Sequence, residues 1–130
     1  MDTNQLENTK AIFARERRIN AAYLLGSSAR GTLRSDSDVD IGVLLFPDQV
    51  LNFQERLDLR VRLEKILQRD VDLGIMDRNN LIYAKEAFLT GRCIYCLDEF
   101  QRDLYVATTL GLYLELRKSR EEVEHAYLAG

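Results

Sequence analysis

The chain has 130 residues, 46% of them hydrophobic and 30% charged, with one proline, two cysteines and a formal net charge of −3. That length suits one domain able to bury roughly two-thirds of its unfolded surface, and the charge excludes a protein that coats nucleic acid by bulk attraction. No apolar run nears the ~20 residues of a membrane span, and the opening MDTNQLENTK lacks the basic-then-apolar pattern of a secretory signal, so a cytoplasmic location is expected.

Thr3 to Asn20 reads as a helix, with Thr3 as N-cap and Leu6, Ile12, Phe13 and Ile19 on a loose apolar face. Arg15, Arg17 and Arg18 fall on its solvated side. Ala21 to Leu25 is the first core strand, and Ser27 to Gly31 is a short helical turn. Thr32 to Ser37 is a polar loop, followed by a second strand from Val39 to Phe46. Pro47-Asp48 stops that strand and caps a helix from about Gln49 to Gln68, where Phe53, Leu57, Leu63, Ile66 and Leu67 recur at helical spacing. Val71 to Met76 is a short strand interrupted by Asp72. Asn79-Asn80 starts a helix over Leu81 to Thr90, closed by Gly91 in the usual C-terminal place. Arg92 to Leu97 is a fourth strand. From about Glu99 the chain is helical, with Phe100, Leu104, Leu110, Leu114 and Val123 on the apolar side. Strands interleaved with helices predict an α+β domain, one mixed sheet with helices packed against it. Residues 1–97 form its core and 98–130 a C-terminal helical segment.

The chemistry concentrates between Tyr23 and Leu45. An apolar run stops at Gly26-Ser27, a polar turn carries Arg30 and Gly31, and Asp38 and Asp40 open the next apolar run. Residues i and i+2 of a strand share a face, so these two carboxylates lie side by side and repel unless a cation sits between them. A Gly-Ser turn after a strand is a place where backbone N–H groups hold phosphate. Gly26 lets the backbone come close to it without a Cβ, and Ser27 offers its hydroxyl and N–H.

Gly26-Ser27-Ser28-Ala29-Arg30-Gly31 followed by Ser37-Asp38-Val39-Asp40 resembles the motif of the DNA polymerase beta nucleotidyltransferase superfamily, and most closely its minimal nucleotidyltransferase (MNT) branch. The resemblance implies the nucleotidyltransferase fold, ATP as substrate and two Mg²⁺ ions held by Asp38, Asp40 and a third carboxylate from the next strand. Asp72, mid-strand, is the first choice for that third ligand, with Asp70 second; Asp36 reads as surface charge in the loop. Arg30 has two readings, a contact to the triphosphate or an ion pair that pins the loop.

Small proteins of this branch are typically antitoxins paired with a HEPN-domain ribonuclease toxin, which they silence by transferring AMP to a tyrosine. The resemblance therefore implies a protein adenylyltransferase working in a hetero-oligomer. Two alternatives stand beside it: an antitoxin acting by binding and occlusion alone, and an enzyme that modifies a small molecule such as an antibiotic. Arg120, His125 and Tyr127 fit the R-x4-H-x-Y signature of HEPN ribonucleases themselves, but some thirty residues after the last strand are too few for a helical bundle. The expectation is an exposed helix and a chance match. Cys93 and Cys96 make a C-x-x-C without a second pair, and on a regular strand they point to opposite faces, so two buried thiols are expected rather than a zinc site.

Overall fold

The computed structural model describes residues 1–30, 38–77 and 79–129. Helix α1 (Thr3–Arg15) starts in a capping box: Asp2 accepts the Gln5 N–H at 2.7 Å, and the Gln5 side chain accepts the Asp2 N–H at 3.1 Å. The cap is therefore Asp2, not Thr3, because only Asp2 has a glutamine three residues ahead to complete the box. The helix also ends at Arg15, short of Asn20. Ile19 and Asn20 are drawn instead into strand β1 (Ile19–Leu24), every residue of which is buried. β-Branched Ile19 packs better in the sheet than on a helix face. Arg18 consequently lies in the turn between them, where its guanidinium holds Glu16 at 2.7 Å and also pairs with Glu55.

Strand β2 (Val39–Leu45) pairs antiparallel with β1 and parallel with β3 (Val71–Met76), while β4 (Arg92–Cys96) lies antiparallel on the far side of β1. The sheet order is β3-β2-β1-β4. A parallel pair needs a crossover, supplied here by helix α3 (Phe53–Leu67). It starts later than Gln49 because its cap is Asn52, in a second capping box with Glu55. Pro47-Asp48 forms a separate turn, closed by the Gln49 N–H on the Phe46 carbonyl at 3.2 Å. Phe53, assigned to the apolar face, is 81% exposed; Leu59, Leu63 and Leu67 are the residues α3 buries.

The two faces of the sheet are covered by different helices. Phe13 of α1 and Leu59, Leu63 and Leu67 of α3 pack with Ile41, Val43, Val71 and Leu73 on one side. Helix α4 (Leu81–Thr90) covers the other with Ala84 and Ala87, against Ala21, Tyr23, Leu44 and Met76. Gly91 ends α4 in extended backbone (φ −78°), not in the left-handed form usual for a glycine cap. Helix α5 (Glu99–Ala129) runs unbroken for 31 residues and buries only Thr109. It leans chiefly on α4 and touches the sheet little, so Phe100 and Leu104, expected on the packed side, remain exposed. From Leu114 to Ala129 every described residue is exposed, Arg120, His125 and Tyr127 among them.

The cysteines depart from expectation. Cys93 is exposed and Cys96 half-buried. A bulge in the β1–β4 ladder sets Cys93 opposite Tyr23 and Cys96 opposite Ala21, so both lie on the same face of the sheet. One extra residue in a strand undoes the two-residue alternation on which the opposite-face reading rested.

Candidate active site

Asp40 and Asp72 are direct partners in the parallel register of β2 and β3. They project from the face that α4 covers further along the strands, and their carboxylates come close enough to share a hydrogen bond. Burial raises the Asp40 carboxyl above its usual range, the charge and hydrogen bond of Asp72 push the same way, and Asp38 adds a smaller push. Asp38 itself is exposed, just ahead of β2.

The turn before β2 holds Asp40 through the backbone. The Asp40 N–H donates to Ser28 Oγ at 3.1 Å, and the Asp40 carbonyl accepts the Leu25 N–H at 2.9 Å. Ser28 belongs to a single helical turn, α2 (Gly26–Arg30). Gly26 enters that turn at φ +56°, a left-handed conformation favouring glycine, and a Cβ there would lie 3.3 Å from Asp40 Oδ2. The motif's glycine thus lies directly against its aspartate. Ser27 sits in α2, but its side chain lies outside the described residues, as do Gly31, Asp36 and Ser37.

Gly26, Arg30, Asp40 and Asp72 line a cleft of about 400 Å³, together with Leu25 and three residues of α4: Tyr83, Glu86 and Thr90. Helix α4 was not read from the sequence as part of the site. The signal lay in the strands, where Asp40-x-Gly42 and Asp72-x-Gly74 repeat the same pattern on one face. Gly42 and Gly74 are also register partners, and the Tyr83 hydroxyl fills the space their missing side chains leave. Burial, reinforced by the charges of Asp72 and Asp40, pushes the Tyr83 phenol up to about 12, so it stays protonated. Asp70 is exposed ahead of β3, where its carbonyl accepts the Val39 N–H at 2.9 Å. A larger hollow, about 550 Å³, opens at the opposite end of β2 and β3, beside Leu45 and Met76 and away from the carboxylate pair.

Among the described residues no three acidic, histidine or cysteine side chains gather tightly enough to enclose a metal alone. Mg²⁺ does not need that, since it commonly binds through one or two carboxylates and takes its other ligands from water and phosphate. Two facing carboxylates, one pushed up by burial and by the other's charge, fit such an ion. Asp40 and Asp72 would hold it; Asp38, exposed ahead of β2, does not line the cleft, although its charge reaches Asp40.

A protein-family model described as polymerase beta nucleotidyltransferase matches residues 7–100, well over half of the chain. The chain belongs to this nucleotidyltransferase family. It is 26% identical over 106 residues to protein adenylyltransferase MntA of Shewanella oneidensis, a match covering 82% of this chain and 74% of that one. A solved toxin–antitoxin structure with AMP-PNP superimposes with a TM-score of 0.74 at 24% identity, over 94% of this chain and 98% of that chain. The structure of a tri-AMPylated Shewanella oneidensis HEPN toxin in complex with its MNT antitoxin gives a TM-score of 0.67 at 23% identity, over 95% and 98% of the two chains. At those identities the solved structures speak for the fold, and the mixed sheet with flanking helices is the one expected of a nucleotidyltransferase.

Proposed function

We infer that this nucleotidyltransferase moves AMP from ATP to a tyrosine of a HEPN ribonuclease toxin and so acts as its antitoxin. The observation that carries this reading is the Asp40–Asp72 pair, set face to face across parallel strands beside the Gly26 turn. Its likeness to MntA names the reaction class. Asp38, Asp40 and Asp72 are the metal ligands in this reading, and Gly26, Ser27 and Arg30 hold the triphosphate. Mg²⁺ bound there would neutralise charge building on the attacking and leaving oxygens.

The chain's own residues do the rest. The Gly26 turn brings backbone close to the triphosphate, with no side chain between it and Asp40. Arg30, exposed on the cleft wall, offers a planar fork matched to phosphate oxygens. The acceptor phenol oxygen attacks the α-phosphorus, the bond to pyrophosphate breaks, and the phenolic proton passes to water. Among the described residues no helix is long and apolar enough to cross a membrane, consistent with a cytoplasmic antitoxin.

The test is incubation with α-labelled ATP, Mg²⁺ and the neighbouring gene's product. Label on a tyrosine of that partner, lost with Asp40→Asn, is the expected result. A complex that silences the toxin with no label transferred would replace this reading with occlusion.

A further inference from the structure

Helix α4 places one side chain behind the carboxylate pair that the motif does not announce. Asp40 and Asp72 are followed, on the same face and in the same register, by Gly42 and Gly74. Those two glycines open a slot, and the phenol end of Tyr83 lies in it. A Cβ on Gly74 would meet the hydroxyl at 2.3 Å and Cζ at 2.8 Å, and one on Gly42 would meet the hydroxyl at 3.0 Å. The hydroxyl is thereby confined from below by two strands while its ring is carried by a helix. It lines the same cleft as Asp40 and Asp72.

We propose that Tyr83 is a positioning residue for the metal-binding carboxylates: its hydroxyl, lodged over Gly42 and Gly74, orients Asp40 and Asp72 from behind. This rests on the reading of those carboxylates as metal ligands. Two observations converge on it. The slot requires glycine on both strands at once, which sheet stability alone disfavours. The hydroxyl it holds sits over the register partners two residues along the same face from Asp40 and Asp72, and it lines their cleft. Groups standing behind metal ligands in this way are worth about 10–100-fold in metal affinity.

The test is Tyr83→Phe, which keeps the ring and removes only the hydroxyl. Binding of Mn²⁺, alone and with a non-hydrolysable ATP analogue, is measured by calorimetry, and thermal unfolding is followed in chelator. The expected result is a melting temperature close to wild type and Mn²⁺ affinity lower by about tenfold or more. Should Tyr83→Phe fail to fold, Gly74→Ala decides, because its Cβ displaces the hydroxyl without removing it and is expected to weaken Mn²⁺ in the same direction. Wild-type Mn²⁺ affinity in whichever variant folds overturns the proposal and leaves Tyr83 as packing. A wild-type protein that binds no Mn²⁺ even with nucleotide fails at the earlier step, removing the metal reading itself.

Discussion

Replacing Asp40 with asparagine separates two effects of one carboxylate. The amide keeps the shape, while the backbone bonds to Ser28 and Leu25 do not involve the side chain. What disappears is a charge that burial and Asp72 both oppose. Because the folded chain binds the Asp40 proton more tightly than the unfolded chain, the stability linked to that proton is full below the unfolded carboxylate range. It is lost as pH rises through the raised folded value. At neutral pH the wild type therefore carries an unrelieved repulsion, ~1 kcal/mol for unit charges ~4 Å apart in water-like surroundings. Asp40→Asn should gain about that much in chelator, or about 4 °C in melting temperature for a domain of this size. The gain should fade as pH falls through the raised Asp40 range, where the wild-type acid is protonated as well. Transfer activity moves the opposite way and should drop by at least ~100-fold, since even groups behind a metal ligand are worth 10–100-fold. Differential scanning fluorimetry across pH, paired with the labelled-ATP assay, reads both. A variant that melts several degrees lower at neutral pH, or that keeps transfer within twofold of wild type, would refute the account.

Asp70→Asn should leave transfer unchanged while Asp72→Asn abolishes it, because Asp72 is the register partner of Asp40 and its charge reaches that carboxyl, whereas Asp70 does neither; equal losses in the labelled-ATP assay would reverse that choice. Gly26→Ala should cost ~1–2 kcal/mol in chemical denaturation, the penalty for a side chain in left-handed backbone, because φ there is +56°. Asn52→Ala removes the side-chain acceptor of the α3 cap and should cost about 1 kcal/mol in the same measurement. Ending the chain after Leu112 should lower the melting temperature of the isolated protein only slightly, since residues 114–129 are exposed and Tyr113, half-buried under Lys85, is the main packing lost. The same truncation should weaken capture of the toxin partner in a pull-down. Unfolding of the truncated chain, or undiminished capture, would return that helix to the core.

Part of the candidate cleft was legible because its signal is local. Gly26 and Asp40 fall within one strand–turn–strand unit, where period-two alternation and glycine chemistry can be read directly, while Asp38, singled out with them, lies exposed outside the cleft. Asp72 was reachable through parity in a short apolar strand. Tyr83 was not, because what brings it to Asp72 is the depth of the slot over Gly42 and Gly74, a tertiary property with no period of its own. The errors in the fold have a similar origin. Ile19 and Asn20 look helical beside Arg15 to Arg18 until the sheet claims them. The two cysteines share a face only because of a bulge that nothing in RCIYC announces. The caps at Asp2 and Asn52 were misplaced at Thr3 and Asp48 although each box stands in the sequence, an acceptor followed three residues later by Gln5 or Glu55.

The parallel pairing of β2 with β3 has one more consequence. Asp40 meets Asp72 only if the strand beyond the α3 crossover docks in its native alignment, because a slip of one residue would turn Asp72 towards the α1–α3 core and replace it with Val71 or Leu73. Competence for chemistry is therefore a proofreading signal for folding: a chain with β3 misaligned can be compact, yet it cannot present two acids to one ion. A nucleotidyltransferase built this way would bring the two acids together only once its sheet is correctly threaded.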